Sequence, residues 1–190
     1  MRIIANEIIE ANKLRNKCEL LNIPNDRPGY YKWWAYESEL HIILSALDVN
    51  ESDVLPYIEQ KNGLYSIYVG IAAKESIRKR LDWHVNDKHT SNRVENGTLS
   101  TMRQSISSVV AHNQYDKKST DEYIDKLKVE WFTVDAEIKS HEAKEGLSKI
   151  ELTLMSEHLY VLNIKDNSFP QAALIKKRLS ALRKESKYLL

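Results

Sequence analysis

Leu64-Tyr65-Ser66-Ile67-Tyr68-Val69-Gly70 is the stretch that decides the fold. Aromatic and β-branched residues dominate it, which favours a pleated strand over a helix. Asn62-Gly63 immediately precedes it and signals a turn. Working outward, Pro28-Gly29 opens a second aromatic run, Tyr30-Tyr31-Lys32-Trp33-Trp34, and Val129-Glu130-Trp131-Phe132-Thr133-Val134 forms a third. Between these runs the apolar residues recur at helical spacing. Helices are predicted at 37–47, 52–60, 75–85, 99–112, 119–127 and 136–160, the last broken near Gly146, with a basic amphipathic helix closing the chain. Residues 3–22 also read as helix, through Ile4, Ile8, Ala11, Leu14, Cys18 and Leu21. The expected fold is α+β: a small three-stranded antiparallel sheet (30–35, 64–70, 128–134) flanked by helices, with helical additions at both ends. The expected parts are an N-terminal helical extension at 1–27, a central domain at 28–168 with a helical acidic insert at 36–62, and a basic C-terminal helix at 169–190.

Composition narrows the function classes. The chain has 190 residues, 42% hydrophobic and 29% charged, as expected of one soluble globular domain. No apolar run approaches the ~20 residues needed to cross a bilayer, so no membrane association is expected. The first residues lack signal-peptide character, and the lone Cys18 excludes an internal disulfide or a cysteine-built zinc site, so a cytoplasmic setting is the expectation. Net charge is only +1, but its distribution is uneven. Glu37, Glu39, Asp48, Glu51, Asp53 and Glu59 crowd the insert, whereas Lys176, Lys177, Arg178, Arg183, Lys184 and Lys187 crowd the C-terminal helix. Such a basic end suits phosphates.

Ordered chemistry-bearing residues surround the two tyrosine-rich strands. Gly29-Tyr30-Tyr31 is followed, after the insert, by Tyr68-Val69-Gly70, then Ile77-Arg78-Lys79-Arg80-Leu81 and His84, and much later by Glu151 and Asn163, twelve positions apart. This set, over roughly residues 28–165, resembles the GIY-YIG nuclease family, which includes homing endonucleases, the excision-repair nuclease subunit and some type II restriction enzymes. The resemblance implies that Tyr31 and Tyr68 are the motif tyrosines, Arg80 and His84 the catalytic pair on the first helix, Glu151 the metal-binding carboxylate and Asn163 a bracing residue. The first motif reads Gly-Tyr-Tyr rather than Gly-Ile-Tyr, and 37 positions separate Tyr31 from Tyr68, more than a hairpin needs. Insertions of that kind point toward the restriction-enzyme branch. Arg78 is the rival to Arg80, and Glu157 to Glu151.

The chemistry gives each residue a reason. Tyrosine has an unperturbed pKa of ~10 and acts as a base only where cations favour the phenolate. Arg80 can hold two phosphate oxygens at once, and His84 lies one helical turn away on the same face. Glu151 is a hard oxygen ligand suited to Mg²⁺ or Mn²⁺. The expectation is therefore a metal-dependent endonuclease acting on double-stranded DNA, with a homodimer favoured if both strands are cut. The alternatives are a catalytically silent nucleic-acid-binding module of the same fold and an RNA-cleaving nuclease. Lys176, Arg183, Lys184 and Lys187 are expected to bind DNA rather than cut it, docked through Ala173, Leu174, Leu179 and Leu182. Arg78, Lys88, His89 and Arg103 offer further nucleic-acid contacts.

Overall fold

The computed structural model describes residues 2–16, 18–163, 165 and 167–188. Its strands are β1 (Ile3–Ala5), β2 (Ile9–Glu10), β3 (Gly29–Ala35), β4 (Gln60–Lys61), β5 (Leu64–Ala72) and β6 (Lys128–Val134). The helices are α1 (Ala11–Arg15), α2 (Cys18–Asn22), α3 (Glu37–Ala46), α4 (Ile77–Asn86), α5 (Ser91–Glu95), α6 (Thr101–Ile106), α7 (Lys117–Ile124), α8 (His141–Glu157) and α9 (Pro170–Glu185). One antiparallel sheet runs β1-β6-β3-β5-β4, with β2 also on the outer side of β6.

The three predicted strands are its middle. β3 is central and every residue of it is buried, so its sequence is continuously apolar and aromatic instead of alternating. Its one charge, Lys32, is neutralised by Glu59 at 2.6 Å. Gly29 is required where β3 meets β6, because a Cβ there would lie 2.1 Å from the backbone oxygen of Phe132. Asn62 and Gly63 both take positive φ, 53° and 74°, the two-residue turn that joins β4 to β5.

The register fixes the two faces. Tyr31 lies opposite Gly70 and Trp131, and Trp33 opposite Tyr68 and Val129, so Tyr31, Trp33, Tyr68 and Gly70 share one face. There α4 packs through Ile77, Leu81, His84 and Val85. Tyr30, Val69, Ile71 and Phe132 belong to the other face, covered by Leu147, Ile150, Leu154 and Met155 of α8.

Four expectations are corrected. The sheet is larger than three strands, because residues 3–10 form β1 and β2 on the free edge of β6 in place of a helix. The paired Ile3-Ile4 and Ile8-Ile9 suit a strand locally, and the unpaired backbone of β6 gives them a template. The helix of this region is confined to α1 and α2, and the Cys18 side chain lies outside the described residues. Residues 52–60 form two 3₁₀ turns, Glu51–Asp53 and Leu55–Tyr57, where Pro56 lacks the N–H an α-helix would need. α8 runs unbroken through Gly146, its packing on the sheet outweighing a cost of about 1 kcal/mol. α9 docks through Ala172, Ile175 and Leu179, with Leu182 beside them, while Ala173 and Leu174 face outward. No helix among the described residues is long and apolar enough to cross a membrane.

Candidate active site

The motif glycine of β5 makes the site possible. A Cβ on Gly70 would fall 2.4 Å from the Tyr31 hydroxyl and 3.1 Å from the Tyr68 ring, so Tyr31 lies across a bare backbone. From there its hydroxyl reaches His84 Nε2 at 2.6 Å. The Tyr31 and Tyr68 rings are 6.4 Å apart, and His84 sits 5.1 Å from the first and 6.0 Å from the second. Trp33 and Trp83 close the aromatic box around the imidazole at 6.0 and 6.1 Å.

Burial sets the charge states. His84 is held well below the usual histidine range by desolvation, and then by Arg80 and Arg103, so its imidazole is neutral near neutral pH. Its Nδ1 is buried without a partner. A bare lone pair costs less there than an orphaned N–H, so we assign the proton to Nε2, donating to the Tyr31 oxygen. The Tyr31 O–H is then free to point at Tyr68. Tyr31 is raised well above the ordinary tyrosine value by burial and by Tyr68, with Arg80 acting oppositely. Tyr68 is pushed up to about 12 by burial and then Glu151, while Arg80, Arg183 and a hydrogen bond from Tyr31 pull it down. For Tyr68 to act as a base near neutral pH, further positive charge must supply roughly 7 kcal/mol, five pKa units at ~1.4 kcal/mol each.

Arg80, not Arg78, faces this cluster. Arg80 stacks on Trp83 at 4.9 Å, pairs with Glu75 at 2.8 Å, and keeps a buried Nε with no partner. Arg78 turns away to the carbonyls of Leu21 and Ile23, so it ties α2 to α4. The sequence had no signal for Glu75, which neutralises Arg80 from the loop before α4.

Asn163 meets β5 at its open edge. β4 pairs only with Leu64 and Tyr65, leaving the rest of that edge without a strand. The Asn163 amide takes over there, accepting from Val69 N at 3.0 Å and donating to Val69 O at 2.9 Å, while Leu162 N reaches Ile67 O at 3.0 Å. Glu151 is half-buried on α8 and acts electrostatically on both Tyr31 and Tyr68. The structure thus brings together Tyr31, Tyr68, Arg80, His84 and Glu151 and fastens their strand with Asn163.

The expected nucleic-acid contacts divide. Arg103 is fully buried and its guanidinium is used up on the carbonyls of His84 and Val85, on His89 Nε2 at 2.9 Å and on Asp121. His89 Nδ1 donates to Gln114 O at 2.6 Å. Arg103 is thus buried and both ring nitrogens of His89 are engaged within the fold. Lys88 lines a surface cavity of about 380 Å³ with Lys79, Trp83 and Arg93. Lys176 and Lys184 are exposed on α9, Lys187 is half-buried over Gly97, and Arg183 turns inward to Gln104.

The model of the GIY-YIG catalytic domain matches residues 29–185, from the first strand glycine to the last residue of α9. No curated protein and no solved structure matches the chain. The match spans most of the chain and includes every residue that meets at Tyr68, so this chain belongs to the GIY-YIG catalytic domain family and is a nuclease, a phosphodiester hydrolase in general terms.

Proposed function

We propose that the chain is a divalent-metal-dependent endonuclease that hydrolyses double-stranded DNA, of the restriction type, with Tyr68 as the general base. The observation that supports the reading is the 2.6 Å contact between His84 Nε2 and the Tyr31 hydroxyl, with Tyr68 beside both rings. Exposure orders its members, with Tyr68 at 7%, Tyr31 at 2% and His84 at 1%, so the water to be activated meets Tyr68 first. Neutral His84 donates to Tyr31, Tyr31 donates to the Tyr68 oxygen, and the phenolate so favoured takes a proton from the attacking water. Arg80 holds the non-bridging phosphate oxygens, with its unpartnered Nε as a donor in reserve for the transition state.

Nucleases of this family generally depend on a divalent metal ion. Glu151 is the residue that would hold one. Glu151 offers a hard oxygen beside Tyr68, and no group of three His, Cys, Asp or Glu ligands exists among the described residues. An ion held here would complete its shell with water and phosphate, as Mg²⁺ readily does. When bound, it supplies positive charge to the scissile phosphate and lowers the cost of the Tyr68 phenolate. The basic helix supplies DNA contacts outside this centre, and a dimer would place two such centres on one duplex.

The test is incubation of the purified protein with plasmid DNA and with RNA, with Mg²⁺, with Mn²⁺ and with chelator. Ion-dependent DNA ends are expected, and Glu151→Gln and Tyr68→Phe should each lose about 10³-fold or more in rate without loss of fold. RNA cleavage alone would replace the substrate. Cleavage of neither nucleic acid by the parent protein would leave the silent binding module as the better account.

A further inference from the structure

The chain has four tryptophans, and Trp33, Trp34 and Trp131 are buried. Trp83 on α4 is the exception. It is half-buried, with the Arg80 guanidinium over its ring at 4.9 Å and the His84 imidazole beside it at 6.1 Å. The same indole lines an open cavity of about 380 Å³. One wide aromatic ring therefore touches two residues of the candidate active site and also meets solvent. Packing alone would favour burying more of it.

The polar groups around that cavity divide into engaged and unengaged. Asp87 accepts from Arg93, from Ser100 N at 3.1 Å and from Lys88 N at 2.9 Å, and Asp82 accepts from Asn86 Nδ2 at 2.7 Å. Both carboxylates are thus committed within the fold. Lys79 and Lys88 are exposed on the cavity, and neither forms an ion pair among the described residues. The Asn86 amide, held by its nitrogen, keeps its oxygen without a partner among the described residues.

 The wall opposite α4 is fastened. His89, between Lys88 and Arg93, is clamped by Gln114 O at 2.6 Å and by Arg103 Nε at 2.9 Å, and Asp87 is locked to the start of α6 through Ser100. A cavity built in advance loses little freedom when it is filled. An aromatic face, two cations without counter-ions and an unused amide acceptor are together the complement of one ligand class. A nucleotide offers a π face, an anionic phosphate and donors on the edge of its base.

We infer that this cavity is a nucleotide subsite, in which Trp83 stacks the base next to the phosphate held by Arg80. Lys79 and Lys88 meet the flanking phosphate, and the Asn86 oxygen accepts from the base edge. The inference rests on the nuclease reading above for the part played by Arg80, whose guanidinium touches the same indole. A base reaches Trp83 only by leaving its own stack. Substrates whose base beside the cut is mismatched or single-stranded are therefore favoured, because that step costs them least.

Titration with 2′-deoxyadenosine 5′-monophosphate, followed by tryptophan fluorescence, tests the subsite without cleavage. The nucleotide should quench the parent saturably, because Trp83 is the one half-exposed indole of the four, and inorganic phosphate should not. Lys79→Glu should weaken the nucleotide about fivefold, whereas Lys118→Glu, on α7 and away from the cavity, should stay within about twofold of the parent. Trp83→Leu, which lacks the reporter, is measured by equilibrium dialysis and should lose about tenfold or more with the stacking. If Trp83→Leu fails to fold, the quenching of the parent and the Lys79→Glu titration decide. Absence of saturable quenching, equal quenching by inorganic phosphate, or parent-like affinity in folded Lys79→Glu or Trp83→Leu would overturn the inference. Nucleotide binding with this pattern in a parent that cuts no nucleic acid would uphold the subsite and sink the nuclease reading. Cleavage without quenching would do the reverse.

Discussion

Two polar clusters flank α4, and they are built on opposite plans. On one side Asp121 receives Arg103, Arg15 and Lys117, while Arg103 also reaches His89 and two backbone carbonyls, and Arg15 reaches Asp125. Burial alone would raise Asp121, but the hydrogen bonds from Lys117 and Arg103 and the surrounding positive charge bring it below the usual carboxylate value. On the other side, His84 Nδ1 and Arg80 Nε are buried without partners, and the two tyrosines are shifted away from their useful protonation state. The first cluster is complete and holds the fold together. The second is incomplete, and under the proposed function its incompleteness is capacity for a substrate and an ion.

If that division is right, damage to the two clusters separates into lost stability and lost rate. The largest expected effect is on the complete side. Asp121→Ala leaves buried Arg103 without its carboxylate and should cost about 3–5 kcal/mol in chemical denaturation. Protein that remains folded should cut within about threefold of the parent at saturating DNA, since Asp121 touches neither motif tyrosine. A large loss of rate with unchanged stability would erase the distinction.

Arg80 and Arg78, half a turn apart on one helix, sharpen it. Arg80→Ala should lower the cleavage rate by roughly 100-fold or more, about 3 kcal/mol, and scarcely move the melting temperature. Arg78→Ala should do the opposite, because it removes the ties to Leu21 and Ile23. Measuring both properties on both variants decides whether the register on α4 is correct.

The smallest effect is on pH. His84 and His89 are both depressed, His89 to about 4, by burial first and then by neighbouring arginines. Unfolded histidine binds protons near pH ~6.5, so their contribution to stability is complete above that value and fades as pH falls toward the folded values. The melting temperature should therefore decline on acidification, less steeply in His89→Gln. The cleavage rate should instead rise from neutral to alkaline pH, as the Tyr68 phenolate becomes more accessible. A rate limited by an acid near the histidine range would show that His84 titrates in the working enzyme.

Much of the central sheet was legible because its signals are local. Aromatic runs and the Asn62-Gly63 turn specify β3, β5 and β6 without knowledge of what they pack against. β1 and β2 were not legible, since two or three residues carry little periodicity and Ile4, Ile8 and Ala11 also fit a helix. Their pairing depends on the free edge of β6, which only the folded sheet supplies. The family resemblance named Tyr31, Tyr68, Arg80 and His84 as candidates, and the structure brings these four together. What spacing could not show was which arginines keep unused donors. Arg103 and Arg183 look alike in sequence, but one is enclosed by Asp121, His89 and carbonyls, and the other by Gln104 and an open cavity.

The Asn163 amide also has a consequence for how this protein keeps its own company. A bare strand edge recruits strands from neighbouring molecules, and the catalytic strand would be a dangerous place for that to happen. A full additional strand would remove the hazard, but it would also extend the sheet outward. One side-chain amide seals the donor and acceptor of Val69 within the width of a single residue. The same small seal thus guards the strand that carries Tyr68 against unwanted pairing.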